Sequence, residues 1–221
     1  MLEVVKSIIL FFSTLFPVVN PLGDAPIFLL LSHDYSSSAR TALARRIAMN
    51  SFYLLAASFL IGSHILAFFG ISLPVVQVGG GLVVMATGWK MLNQKQEDEE
   101  PRAKPHQMNP GDIFRNAFYP LTMPLTVGPG SISIAITLGA NAPRHHGFDF
   151  LPFVPAITAS LLIALSVFLC YASADRLARL LGPTGMTVIM RLSSFLLVCI
   201  GVQILWNGVK ALLASLPSHV H

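Results

Sequence analysis

Charge is what this chain has least of. Asp, Glu, Lys and Arg make up 11% of its 221 residues, against 54% apolar residues. A soluble domain carries about 25% charged residues, so there are too few here to cover a solvated surface. Cysteine is almost absent too. Cys170 and Cys199 both sit in apolar runs, with no C-x-x-C pair and no metal framework, and read as small packing residues. No histidine pair has the spacing or setting of a metal site. A phosphate-binding G-x-x-x-x-G-K-[ST] loop is missing, which argues against ATP-driven transport by the chain itself. Ser131 lacks a G-x-S-x-G elbow and has no histidine close in sequence, so the chain does not read as an enzyme. The net charge of +4 comes without a nucleic-acid motif and fits basic loops facing an anionic leaflet.

What the chain does have is long uncharged runs, over 47–89, 116–143, 150–174 and 192–209. A membrane-spanning helix needs about 20 apolar residues. The first run holds two such spans with a turn at 70–74, and the apolar N-terminal stretch supplies another. Six spans are expected, near 8–30, 47–69, 73–92, 117–139, 152–173 and 190–211. The fold class is all-α integral membrane, with the lipid bilayer as the main partner. One polar segment, 93–115, reads as a charged linker between a first three-helix unit (1–92) and a second (116–221), the two forming one membrane domain.

A proline ladder occurs twice. Pro17-x3-Pro21-Leu22-x3-Pro26 returns as Pro120-x3-Pro124-Leu125-x3-Pro129, at a constant offset of 103 residues. A cleaved signal peptide would not match an internal segment, so the N-terminal stretch is structural. Proline removes a backbone donor and frees a carbonyl one turn earlier. Such backbone at membrane depth must be buried in protein or line a polar cavity. The pattern predicts a broken or kinked first helix in each half.

Basic residues set the orientation. Arg40, Arg45, Arg46, Lys90, Lys95, Arg102, Lys104, Arg115, Arg176, Arg179 and Arg191 fall on one side, and only Lys6, Arg144 and Lys210 on the other. The positive-inside rule places loops 1–2, 3–4 and 5–6 in the cytoplasm and both termini in the periplasm. Three spans per half then make the halves an inverted 3+3 repeat, with the ladders approaching from opposite leaflets.

The ladders carry the candidate site. Asn20, Pro21, Gly23, Asp24 and Pro26 form its first half; Thr122, Pro124, Thr126, Gly128, Pro129, Gly130 and Ser131 form its second. Broken helices place helix ends at mid-depth, attractive to the carboxylate and ammonium of a small zwitterion. Asp24 is the one carboxylate in either ladder. It is a candidate for proton or sodium coupling, or for facing a substrate amine, or else for capping a helix. No other cofactor is expected. Gly79, Gly80, Gly81 and Gly88 form a small-residue stripe better suited to helix packing than to a ligand. Asp175 and Arg176 are positioned for a local ion pair.

These motifs resemble a known family. NPLGDAPIF at 20–28 and PLTMPLTVGPGSI at 120–132 are similar to signatures of the MarC (UPF0056) family of integral membrane proteins. GGLVVMATGWKML at 80–92 and RLSSFLLVCIGVQILWNG at 191–208 resemble its third and sixth spans. The resemblance implies a six-helix bacterial inner-membrane protein, related to transporters of small neutral amino acids. It implies a secondary transporter or exporter of such a solute. The alternatives are a membrane scaffold or assembly partner, a passive channel, and drug efflux. A homo-oligomer is compatible with each.

Overall fold

A computed structural model of the chain describes residues 2–32, 35–93, 117–141 and 153–215. Every regular element among them is helical: α1 (Leu2–Val19), α2 (Pro21–Leu31), α3 (Ser37–Phe68), α4 (Leu73–Leu92), α5 (Ala117–Thr126), α6 (Pro129–Ala140), α7 (Val154–Ala172) and α8 (Ala174–Ala214). Apart from Asn93, the expected linker 93–115 lies outside the described residues.

Five spans are each long and apolar enough to cross a membrane: Leu2–Leu31, Ser37–Phe68, Leu73–Leu92, Val154–Ala172 and Thr184–Ala214. The α5–α6 pair, bent by 68°, makes up to six. The chain is therefore an all-α, multi-span membrane protein. Its burial pattern suits that solvent. Asn20, Asp24, Ser51, Thr122, Thr126, Ser131, Ser133, Ser160 and Ser194 are buried, while Phe68, Tyr53, Trp89, Leu161 and Leu192 lie on the outside. Water would favour the opposite sorting; lipid tails accept apolar side chains at no cost.

Local chemistry explains the boundaries. Ser36 caps α3 by accepting from the Ala39 amide at 3.3 Å. That cap lets α3 begin ten residues before the expected apolar start at 47, so its first turns carry Arg40, Arg45 and Arg46. Gly70, at φ 67°, turns the chain between α3 and α4, and Pro74 occupies the first turn of α4. Gly182, at φ 65° and ψ 178°, breaks α8, so the apolar span is Thr184–Ala214 rather than the whole helix.

The helices interlock across the two halves of the chain. The largest contact is α4 against α8, followed by α3 against α7 and α3 against α6. Further contacts join α1 to α7, α3 to α5, α2 to α7, α4 to α6, α2 to α8, α1 to α6 and α2 to α5. Helices α4 and α8 run antiparallel and come close because glycine lines both. A Cβ on Gly81 would lie 2.5 Å from the Leu205 nitrogen and 2.7 Å from the Gly201 oxygen. One on Gly88 would lie 2.8 Å from the Leu197 Cβ, and one on Gly208 2.8 Å from the Pro74 oxygen. The packing reading of Gly80, Gly81 and Gly88 agrees with these contacts; Gly79 faces open space.

Candidate functional site

The two ladders differ in geometry. At the first, α1 and α2 form one 30-residue span with a kink at Asn20. Asn20 adopts a left-handed conformation (φ 50°, ψ 52°), which asparagine tolerates better than most residues. Helical bonding continues across it, from the Asn20 amide to the Phe16 oxygen and from the Asp24 amide to the Asn20 oxygen. Its side-chain Oδ1 accepts from the Gly23 amide at 3.2 Å and caps α2, with Pro21 in the first turn. Gly23 has to be glycine here, because a Cβ would collide with the Asn20 amide group. Pro26 lies inside α2 and is half-buried.

At the second ladder the chain winds more widely. Tyr119 (φ −124°, ψ 125°) and Met123 (φ −117°, ψ 124°) are extended, as residues before proline tend to be. The Tyr119–Pro120 and Met123–Pro124 peptides are cis. Proline supplies no amide donor, and threonine hydroxyls take over. Thr122 Oγ1 donates to the Ala117 oxygen at 2.6 Å and Thr126 Oγ1 to the Leu121 oxygen at 2.8 Å. The break follows at Gly128, and Pro129 opens α6. By sequence offset Met123 matches Asn20, so both copies depart from helix at that rung, and the second adds a break at Gly128, before the counterpart of Pro26.

Tyr171 of α7 joins the ladders. Its ring stacks on Phe28 of α2, centroids 4.5 Å apart, and its hydroxyl lies 2.9 Å from Thr126 Oγ1. The Thr126 proton is committed to the Leu121 oxygen, so Tyr171 is the donor to Thr126. Asp24 is buried one turn before Phe28 on the same helix. One turn back along α5, Thr122 Oγ1 accepts from Asn50 Nδ2 of α3 at 3.3 Å. The buried core therefore contains Asp24, Thr122, Thr126 and Tyr171, with Asn20 at the kink. Among the described residues four buried side-chain atoms have no hydrogen-bond partner: Arg40 Nε near the start of α3, and Asn20 Nδ2, Ser51 Oγ and Ser160 Oγ deeper in the spans. Unpaired polar atoms are expensive where no water reaches, and they mark places where a small polar ligand or water gains bonds.

Not every expected residue joins this centre. Pro21 and Gly23 are buried beside Asn20; Pro124 and Pro129 are exposed, and Gly128 is half-buried. Gly130 is buried against the Val84 side chain, and Ser131 bonds back to the Gly128 oxygen at 3.0 Å. Ser133 binds the Val76 oxygen of α4 at 2.9 Å, which ties α6 to the glycine stripe. Asp175 pairs across the fold with Arg40, both carboxylate oxygens lying 2.5 Å from Nη1, instead of with its neighbour Arg176. Arg40 also donates to the Tyr35 oxygen at 3.1 Å.

Sequence reasoning missed Tyr171, Asn50 and the Arg40–Asp175 pair. A signal for Tyr171 existed: it is the only tyrosine within the uncharged run 150–174. Among the described residues no group of three or more His, Cys, Asp or Glu is arranged to hold a metal.

Comparison with known proteins agrees with the membrane fold. The chain is 33% identical to the UPF0056 inner membrane protein MarC of Salmonella typhimurium over 220 residues, 97% of this chain and 99% of that one. It is also 33% identical to the protein of the same name from Citrobacter koseri over 221 residues, with the same coverage. Identity to the Escherichia coli O1:K1 / APEC relative is 31% over 219 residues, 97% of this chain and 99% of that one. No solved structure matches. The model of the MarC family integral membrane proteins matches residues 5–213, and the chain belongs to that family.

Proposed function

We propose that this protein is a secondary transporter or exporter of a small neutral amino acid or a similar small solute, resident in the bacterial inner membrane. One observation carries the reading. Tyr171 connects Thr126 of the second ladder to Phe28 on α2, the helix that carries Asp24 of the first, and Asn20 Nδ2 at the start of that helix is buried without a partner. A zwitterion matches that inventory. Asp24 faces its ammonium, and the free Asn20 Nδ2 donates to its carboxylate. Asp24 is alternatively the site of the coupling proton or sodium ion. The relatives, named as inner membrane proteins, support the inner-membrane location.

The packing supports an inverted 3+3 repeat. Exchanging α1 with α5, α2 with α6, α3 with α7 and α4 with α8 maps α1–α7 onto α3–α5 and α3–α6 onto α2–α7. It also maps α4–α6 onto α2–α8 and α1–α6 onto α2–α5, and returns α3–α7 and α4–α8 to themselves. Two minor contacts, α1–α8 and α7–α8, have no counterpart of similar extent. Under the positive-inside rule, the Arg40–Asp175 pair then lies on the cytoplasmic face.

The test is flux in proteoliposomes across a panel of small zwitterions, with imposed proton and sodium gradients. Saturable, gradient-driven uptake is expected. Asp24→Asn abolishes the gradient dependence while the protein still inserts. Gly128→Leu, whose Cβ starts 3.0 Å from the Pro124 oxygen, blocks uptake by bulk. Flux without saturation or coupling would make the chain a passive channel. No flux of any solute by folded protein would overturn transport.

A further inference from the structure

A second site lies outside the polar centre, on the outer face where α3 meets α7. There the seam opens into a groove of about 350 Å³, lined by Arg45, Ala48, Met49, Phe52, Tyr53, Leu161, Ala164, Leu165 and Phe168. Its floor is Ala48 and Ala164, each 6% exposed, whose small side chains leave the seam hollow. Its walls are aromatic and aliphatic, with Tyr53 61%, Leu161 58% and Leu165 50% exposed. From Arg45 to Tyr53 the groove follows eight residues of helix, roughly 12 Å at 1.5 Å per residue. Apart from Arg45, no lining residue is charged.

Arg45 gives the groove a polarity. It sits on the third turn of α3, at the end of the molecule that carries the Arg40–Asp175 pair. It is exposed and has no carboxylate partner among the described residues. An unpaired guanidinium at one end of an otherwise apolar channel matches an amphiphile with an anionic head and a hydrocarbon tail. Guanidinium binds phosphate through paired N–H donors, and basic pockets between spans at the membrane surface take anionic lipid heads. Met49 adapts its shape to an irregular chain. We infer that the α3–α7 groove binds one anionic glycerophospholipid, its phosphate on Arg45 and its acyl chain along the Ala48–Ala164 floor. The site is independent of any transport activity, since it needs only the membrane-embedded fold.

Native mass spectrometry of the detergent-solubilised chain tests this, with phosphatidylglycerol and phosphatidylcholine supplied in equal amounts. The wild-type chain retains one phosphatidylglycerol, preferred about five-fold over phosphatidylcholine, the scale expected for one basic side chain at an anionic headgroup. Arg45→Gln, at an exposed position that does not endanger folding, brings the two lipids to parity. Arg191→Gln, an exposed cation outside the groove, leaves the preference in place. Ala164→Leu fills the floor and lowers retention of both lipids; Leu161→Ala, at the exposed rim, checks the same contact if the first variant fails to fold. Equal retention by the wild type would overturn the site, as would an equal loss in Arg191→Gln. A dimer that excludes lipid and is broken by Ala164→Leu would assign the groove to a second copy and overturn it too.

Discussion

Tyr171 donates its hydroxyl proton to Thr126 across 2.9 Å, and this bond ties α7 to the broken segment preceding α6. Tyr171→Phe keeps the stack on Phe28 and removes only the bond. The expected loss is about 1 kcal/mol, the usual net worth of one hydrogen bond. Tyr171→Ala also removes the ring and costs about 3–5 kcal/mol, since the side chain is fully buried. Unfolding in mixed detergent micelles compares the two. Equal losses would show that the ring contributes nothing to this junction.

The Arg40–Asp175 pair lends itself to a double-mutant cycle. Arg40 is largely buried at 14% side-chain exposure, but Asp175 is 43% exposed, so solvent screens the interaction. A coupling energy of about 1 kcal/mol is expected from Arg40→Gln, Asp175→Asn and the double variant, falling as salt rises. Arg176→Gln should show no coupling to Asp175→Asn. Coupling to Arg176 instead of Arg40 would refute the cross-fold pairing.

Much of this architecture is legible in the sequence because the bilayer imposes it. Uncharged runs of the right length locate the spans, and Leu73–Leu92 agrees with its expectation to the residue. Less legible is where each ladder bends. Six matched prolines suggest equivalent breaks, yet Asn20 supplies a left-handed kink in one copy, while the other is extended at the matching Met123 and breaks again at Gly128. The difference comes from the residues between the prolines, where Asn20 and Gly23 form a cap that the second ladder lacks. Tyr171 stands out in the sequence only as the single tyrosine of its uncharged run, and nothing there ties its hydroxyl to Thr126, 45 residues away. A second internal repeat was available. Gly81, Gly88, Lys90 and Leu92 recur as Gly201, Gly208, Lys210 and Leu212 at an offset of 120. Those glycines form the α4–α8 seam, and they explain why these two helices pack so closely.

That seam predicts a sharp contrast among adjacent glycines. Gly81→Leu and Gly201→Leu place a side chain against opposing backbone, which cannot move aside like a flexible side chain. Each should separate α4 from α8 and reduce the yield of folded protein severely, read by size-exclusion chromatography. Gly79→Ala meets nothing within 4 Å and replaces a poor helix former by a good one. Its thermal midpoint should stay level or rise. A large loss at Gly79 would mean that the stripe is packed on a face other than the one facing α8.

The Asn20 kink separates backbone from side-chain demands. Asn20→Gly keeps the left-handed conformation accessible and removes the cap on the Gly23 amide. A loss of about 1 kcal/mol is expected, within the range for a lost N-cap. Asn20→Val loses the same cap and puts a β-branched residue at φ 50°, which L side chains resist. Its loss should exceed that of Asn20→Gly by about 1–2 kcal/mol, the scale of the left-handed penalty. The order reverses only if the kink relaxes to ordinary helix in the variant. Amide exchange at Asp24 distinguishes that outcome, since a straightened span would protect it more strongly. With the kink retained, valine is worse than glycine and Asp24 exchange is faster than in the wild type, because the α2 cap is gone in both variants.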